Sequence, residues 1–225
     1  MKILAIRPEP GLSATLAAAR QAGIAVEGCA LSEVRPMNWQ SPTPDRFDAL
    51  LLGSANAVRH AGSEIARWQG RTAHVVGPAT AEAALRAGLE VGIVGRGGLQ
   101  NVVDEIAAAG PAHFLRLAGE SHVPLLAPPG ITIETRTVYR VVHVPLPDGL
   151  AARLGEGGVV LLHSADAARH FAGECDRFGI SRERLALVAL APRIAEAAGE
   201  GWTRVEIAAQ PADRVLLALA RDICH

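Results

Sequence analysis

Short, continuously apolar segments alternate along the chain with longer stretches in which small apolar residues recur at helical spacing. The segments DALLLG at 48–53 and GVVLLH at 158–163 are typical of strands that are buried on both faces. The stretch at 55–68 places apolar residues on one face of a helix. This alternation predicts an α/β fold in which helices connect the strands of parallel sheets.

The pattern also predicts where the elements lie. Strands are expected at 2–7, 24–34, 48–53, 72–77, 90–94, 112–118, 131–144, 158–163, 186–191 and 203–208. Helices are expected at 11–22, 55–68, 79–87, 98–109, 121–127, 148–154, 165–178, 193–198 and 211–223.

Two parts of the chain repeat one another. LLGSANAVRH at 51–60 returns as LLHSADAARH at 161–170, with seven of the ten positions identical. VVGPATAEAA at 75–84 similarly matches ALAPRIAEAA at 189–198. These matches indicate two copies of a unit with about five strands.

Prolines suggest where the domains divide. They follow the second strand of each copy, within 36–44 and 145–147. A first domain made of 1–35 and 146–225, with an inserted domain at 37–144, gives each sheet five strands. Two tandem halves are the simpler alternative, but the short segment 1–35 could not cover both faces of a sheet by itself.

Composition and charge narrow the class of protein. The chain is 49% hydrophobic with a formal net charge of −1, which gives no indication of nucleic-acid or membrane binding. The apolar run after Lys2 is shorter than a secretory or membrane-spanning segment requires. Cys29, Cys175 and Cys224 have neither metal-binding nor redox spacing. We therefore expect a cytoplasmic protein with reduced thiols and no metal site.

Polar residues recur where predicted strands end and helices begin. Small residues follow Ser54 and Ser164, which leaves backbone N–H groups open to an anion at a helix start. The alternative is that the hydroxyl groups only cap their helices. The candidate anion-binding residues of this kind are Ser54, Ala55, Asn56, Thr80, Ser164 and Ala165.

Three further features suggest chemistry. Arg7 follows the first strand and could bind a carboxylate through two hydrogen bonds, or could form only a surface ion pair. The glycine-rich segment around Gly97 lacks the third glycine of a dinucleotide-binding loop. Tyr139, the only tyrosine, lies on a strand where the domains would be joined, and could equally be a packed aromatic residue.

Together these motifs resemble the uroporphyrinogen-III synthase family over essentially the whole chain. The resemblance implies two parallel-sheet, flavodoxin-like α/β domains, the first discontinuous, joined by a two-stranded linker. The motifs that carry it are I-R-P at 6–8, L-L-x-S-A-N-A-V at 51–58, V-V-G-P-A-T-A at 75–81, L-R-L-A-G at 115–119, T-V-Y at 137–139 and S-A-D-A-A at 164–168.

The resemblance also implies the reaction. The family cyclises hydroxymethylbilane to uroporphyrinogen III, with inversion of the last pyrrole ring and loss of water, without a metal or cofactor. Tyr139 would donate a hydrogen bond or a proton to the departing hydroxyl. Gly97, Gly119, Arg7 and the polar strand ends of both domains would line a cleft that binds the substrate carboxylates.

Two positions depart from the family pattern. Ala118 stands where arginine is common, and Ile194 where a threonine hydroxyl is common. A non-catalytic binder of a small polyanion, or a regulatory synthase-like domain, therefore stays open as an alternative. For the enzyme we expect a small-molecule substrate, a monomer, no nucleic-acid or membrane partner, and transient contact with the preceding pathway enzyme.

Overall fold

A computed structural model describes residues 2–224 and divides the chain into two compact units. The first unit contains the residues up to Glu33 and those from Val142 onward. The second unit is Val34–Val141. Among residues 2–224, no helix is both long enough and apolar enough to cross a membrane.

Regular elements cover most of both units. The strands are β1 (Ile3–Ala5), β2 (Val26–Gly28), β3 (Ser32–Pro36), β4 (Ala49–Leu52), β5 (Thr72–Val76), β6 (Glu90–Gly95), β7 (Ala112–Gly119), β8 (Ile131–His143), β9 (Gly158–Leu162), β10 (Leu185–Ala189) and β11 (Arg204–Ile207). The α-helices are α1 (Gly11–Gln21), α2 (Ala55–Arg59), α3 (Pro78–Arg86), α4 (Leu99–Ala107), α5 (Asp148–Leu154), α6 (Ala165–Phe178), α7 (Pro192–Ala197) and α8 (Asp213–Cys224). Short 3-10 helices lie at Pro44–Arg46, Gly62–Trp68 and Arg182–Arg184.

The sheet of the first unit has the strand order β11-β10-β9-β1-β2, and every neighbouring pair is parallel. Helices cover both faces. Leu12 of α1 packs on one face with Leu216 of α8, and Phe171 of α6 packs on the other. Because α1 follows β1 and α6 follows β9, the connections of these neighbouring strands leave toward opposite faces. Such a switch point creates a crevice at the carboxyl edge of a parallel sheet, where ligands commonly bind.

The second unit has the strand order β3-β8-β7-β4-β5-β6, and strands β4 to β8 form parallel pairs. Ala57 of α2 packs on one face of this sheet, and Val102 of α4 packs on the other. The segment after β7 places Leu125 on the α4 face. The switch point of this sheet therefore lies between β4 and β7.

The chain passes between the units after Glu33 and after Val141. Both passages lie within strands, β3 and β8, which are hydrogen-bonded neighbours. The amide of Met37 donates to the carbonyl of Val138 beside them, at 2.9 Å.

Three predicted elements were wrong. The strand predicted at 24–34 is interrupted between β2 and β3, and these two strands belong to different sheets. The helix predicted at 55–68 breaks into α2 and a 3-10 helix because Gly62 adopts a positive φ of 64°. The helix predicted at 121–127 is absent. Pro124 interrupts it, and the Gln100 side chain instead hydrogen-bonds both backbone groups of Leu126, at 2.9 Å each.

Candidate functional site

The first candidate residues lie at the carboxyl end of β4. Ser54 is the N-cap of α2, and its Oγ accepts a hydrogen bond from the Asn56 amide at 3.2 Å. Ala55 is buried in the first turn of this helix. The Asn56 side-chain oxygen accepts from Arg59 at 3.4 Å. The capping alternative therefore accounts for the Ser54 hydroxyl in this structure, while the helix start still faces the carboxyl edge of the sheet.

The next two strand ends are built differently. Gly77, with φ 75°, is the N-cap of α3, and the helix start has no side-chain cap. Thr80 lies buried in the first turn of α3, rather than at its cap. After β6, Gly97 adopts φ 83°, and the Asn101 side chain donates to the Arg96 carbonyl at 3.0 Å. Glycine at these two positions allows a tight turn into each helix.

Gly119 and Tyr139 form one structural pair. They are register partners at a β-bulge between β7 and β8. A Cβ on Gly119 would lie 2.6 Å from Cζ of the Tyr139 ring, so the ring rests directly on the glycine. Another neighbour of the ring is His60, with ring centroids 6.2 Å apart. Burial and the charge of Arg59 lower the pKa of His60, which favours its neutral form beside Tyr139.

Arg116 is a residue that sequence reasoning missed. It lies in β7, three residues before Gly119, and is only 7% exposed. Burial lowers its pKa, and the electrostatic influence of Tyr139 partly offsets that decrease. An arginine inside the apolar segment AHFLRLAG was the available signal, but a sequence does not reveal whether such a side chain is paired.

Arg7 lies at the switch point of the first unit. Its Nη1 donates to both carboxylate oxygens of Asp213, at 3.4 and 3.5 Å, and to Thr15 Oγ1 at 3.4 Å. A Cβ on Gly11 would overlap the guanidinium, so the arginine rests against the start of α1. Arg7 thus forms an ion pair with Asp213, as one of its two predicted roles required, through long contacts of a single nitrogen.

Asp213 is the centre of this cluster. Thr15 Oγ1 donates to it at 2.7 Å, and His163 Nε2 lies 3.1 Å from its Oδ1. Burial by itself would raise the pKa of Asp213, but the hydrogen bonds from His163 and Thr15 and the charge of Arg7 hold it below its usual value. The carboxylate is therefore ionised and already neutralised within the unit.

Ser164 begins α6 in the same way that Ser54 begins α2. Its Oγ accepts from the Ala167 amide at 3.1 Å, and Ala165 is the first helical residue. Asp166 occupies the first turn and lies 3.4 Å from His143 Nε2. This carboxylate adds a negative charge beside the predicted anion site. Ile194, at the other departure from the family pattern, is buried in α7 at 3% exposure.

These positions define a class of protein. Each unit is a parallel α/β sheet whose carboxyl edge carries helix starts, hydroxyl groups and an arginine at the switch point, an arrangement suited to anionic ligands. Within residues 2–224, no group of three or more His, Cys, Asp or Glu side chains could hold a metal ion.

The comparisons with known proteins then identify the family. The family model described as uroporphyrinogen-III synthase HemD matches residues 13–218. The match covers most of the chain, which therefore belongs to the uroporphyrinogen-III synthase family. The predicted family, function and enzyme class are confirmed: a cyclising lyase of tetrapyrrole biosynthesis.

Solved structures support the fold. A uroporphyrinogen-III synthetase from Helicobacter pylori is 16% identical with a TM-score of 0.68, and the match covers 99% of each chain. A mutant uroporphyrinogen III synthase from Thermus thermophilus is 17% identical with a TM-score of 0.55, covering 100% of this chain and 99% of that one. A search of curated proteins finds no match. The α/β fold with mainly parallel sheets is therefore confirmed.

Proposed function

We propose that Tyr139 is the group that assists departure of the substrate hydroxyl in the synthase reaction of this family. The observation that supports this role is the placement of the phenol on Gly119, at the carboxyl edge of the second sheet. The ring is fixed by the glycine beneath it and by His60 beside it. A phenol held in this way can donate a hydrogen bond in a defined direction.

The bonds that break and form in the reaction show where a hydrogen bond from the phenol would help. In hydroxymethylbilane, the bond between the terminal methylene carbon and its hydroxyl oxygen breaks, and the oxygen leaves as water after gaining a proton. The electron-poor azafulvene that remains is attacked by the pyrrole carbon of the last ring that already carries the bridge to the preceding ring. That bridge bond then breaks, and the released methylene carbon bonds to the free α-carbon of the inverted ring, which loses a proton. A hydrogen bond from Tyr139 to the departing oxygen stabilises the charge that develops there.

Binding is proposed to rest on the substrate carboxylates. In the second unit the candidate groups are the helix starts at Ser54, Ala55 and Asn56, the first turn of α3 at Thr80, and the loop at Gly97. Backbone N–H groups at a helix start favour an anion. In the first unit, Arg7 and the start of α6 at Ser164 and Ala165 would contribute in the same way, although acidic side chains stand beside both.

We further propose that the two compact units are independent flavodoxin-like domains, corresponding to 1–35 with 146–225 and to 37–144, linked by β3 and β8. The order β2-β1-β9-β10-β11 in the first unit has the flavodoxin pattern. The order β8-β7-β4-β5-β6 in the second unit has the same spatial pattern, but the chain begins these five strands at the central one. A cytoplasmic monomer that receives its unstable substrate through transient contact with the preceding enzyme fits this proposal.

A coupled assay tests the function. The purified chain is supplied with hydroxymethylbilane, and isomers I and III of uroporphyrinogen are resolved after oxidation. Isomer I forms without an enzyme, so the expected result is an excess of isomer III that scales with protein concentration. A non-catalytic polyanion binder would bind uroporphyrinogen yet leave isomer I as the product. That result would contradict the proposal.

A further inference from the structure

Arg116 is a buried cation that has no hydrogen-bond or ion-pair partner among the residues that the structure describes. It is 93% buried in β7, and among residues 2–224 its guanidinium makes no hydrogen bond or ion pair. The contrast with Arg177 illustrates the usual arrangement, because Arg177 bonds both carboxylate oxygens of Glu174. A charge removed from water costs several kcal/mol unless a partner compensates it. An unpaired Arg116 therefore requires an explanation.

The strand register places Arg116 on the α4 face of the second sheet. Its partner in β4 is Leu51 and its partner in β8 is Thr135. Since side chains alternate along a strand, Arg116 shares this face with Phe114, whose neighbours are apolar residues of α4 and β4. Neither register partner of Arg116 carries a charge that could neutralise the guanidinium.

The nitrogen atoms of the guanidinium are nevertheless not completely enclosed. The fully enclosed side-chain nitrogen and oxygen atoms without a hydrogen-bond partner are His113 Nε2 and His163 Nδ1, among the described residues. The Arg116 nitrogens also lack a partner but are absent from this group, so each of them retains contact with solvent. The Arg116 side chain is therefore nearly buried while its nitrogen atoms are not fully enclosed, and its partner in β4, Leu51, lies one residue before the end of that strand at the switch point.

The internal repeat shows that the second unit lacks the acid found at the switch point of the first. Position 163, which follows β9, corresponds to position 53, which follows β4, and α8 corresponds to α4. The first unit has His163 and Asp213 there, in contact at 3.1 Å. The second unit has Gly53 and Leu99, and a Cβ on Gly53 would lie 3.5 Å from the Leu99 side chain. The acid and the imidazole of one unit are thus replaced by an apolar contact in the other.

We propose that Arg116 binds a carboxylate of the tetrapyrrole substrate at the switch point between β4 and β7. This inference rests on the proposed function, since that function supplies the polycarboxylate. An arginine can grip a carboxylate through two parallel hydrogen bonds, which are strongest where water is largely excluded. The ligand carboxylate then provides the negative charge that balances Arg116.

The test compares Arg116→Met, Arg116→Lys and the control Arg86→Met in the full chain. Arg86 is an exposed residue of α3, paired with Glu82. The measurements are affinity for uroporphyrinogen III under anaerobic conditions, KM and kcat for isomer III, and the thermal midpoint without ligand. Arg116→Met should weaken product binding and raise KM by about tenfold to a hundredfold, the range for losing one or two charge-assisted bonds.

Stability distinguishes binding from a structural role. Because an unpaired buried charge is replaced by a side chain of similar length, ligand-free Arg116→Met should have an equal or higher thermal midpoint. Arg116→Lys should retain part of the affinity, and Arg86→Met should match the wild type. Unchanged affinity in Arg116→Met, whatever its thermal midpoint, would overturn the proposal.

The same experiment separates the two proposals. If the wild type binds uroporphyrinogen III through Arg116 but yields no excess of isomer III, the carboxylate site stands and the catalytic proposal fails. If isomer III forms normally and Arg116→Met changes neither affinity nor KM, the reverse holds.

Discussion

The arginines near the two switch points of this protein have different surroundings. In the first unit, Arg7 faces Asp213, which Thr15 and His163 also hold. In the second unit, Arg116 has no partner among residues 2–224. The two units share the same spatial order of strands, but their arginines occupy different positions and have different surroundings. The arginine of the first unit is balanced by an acid of the same unit, whereas Arg116 is the residue that we propose binds a negatively charged ligand.

This difference changes what the candidate residues mean. Sequence reasoning selected Arg7 as the carboxylate anchor, and the structure adds a competitor in the form of Asp213. A substrate carboxylate would have to displace or share that acid. Arg116 needs no such exchange. We therefore expect the second unit to contribute more of the binding energy than the first.

The largest effect should come from dividing the chain. A fragment of 37–144 keeps strands β4 to β8 together and should fold by itself. A fragment of 1–111 should remain unfolded, because β1 loses its neighbour β9 and β4 loses its neighbour β7. Chemical-shift dispersion in NMR spectra distinguishes these outcomes. Native-like dispersion in 1–111 with none in 37–144 would refute the proposed domains.

Removing the acid should disturb the first unit at neutral pH. Asp213→Asn takes away the countercharge of Arg7 and should lower the free energy of unfolding by about 1–3 kcal/mol. The folded-state pKa of Asp213 is depressed, so this contribution is complete above the unfolded-state value of about 4 and is lost as the pH falls further.

Denaturant unfolding of the wild type and Asp213→Asn at several pH values measures this effect. The difference between them should be constant from pH 7 to about pH 5 and narrow below pH 4. A difference that grew with acidity would contradict the charge cluster.

Tyr139→Phe removes the phenolic hydroxyl and keeps the ring on Gly119. Formation of isomer III should slow by about tenfold, equal to about 1.4 kcal/mol of transition-state stabilisation, while product affinity and stability stay near wild type. Gly119→Ala is the matched variant, because its Cβ would push the ring from its position. It should slow the reaction with the hydroxyl still present. Full activity in Tyr139→Phe would remove Tyr139 from the mechanism.

How much of this could be read from the sequence depends on the range of the interaction. Continuous apolar runs predicted β4 and β9, because a strand that is buried on both faces needs consecutive apolar residues. Apolar residues at helical spacing predicted most of the helices. The failure at 121–127 arose because composition there resembles a helix while Gln100, distant in sequence, holds the segment extended. The Arg7–Asp213 pair joins the two ends of the chain, and no local pattern indicates it.

The capping serines should show the smallest effect. Ser54→Ala and Ser164→Ala each remove one accepted backbone hydrogen bond and should cost about 1 kcal/mol of stability. Ligand-free thermal unfolding measures that cost, and product affinity measured in parallel shows whether either hydroxyl also contacts the ligand. If both variants lose affinity without losing stability, the hydroxyl groups bind substrate rather than cap their helices.

The most direct test of the comparison measures the affinity for uroporphyrinogen III of Arg7→Met and Arg116→Met side by side, at low and high salt. If Asp213 neutralises Arg7 and Arg116 binds a ligand carboxylate, Arg116→Met should lose the larger share of affinity, and the remaining affinity should depend much less on salt. Arg7→Met should lose less, with a lowered thermal midpoint because Asp213 loses the charge of Arg7 and keeps only its contacts with Thr15 and His163. A larger loss of affinity in Arg7→Met, with Arg116→Met unchanged, would contradict the account.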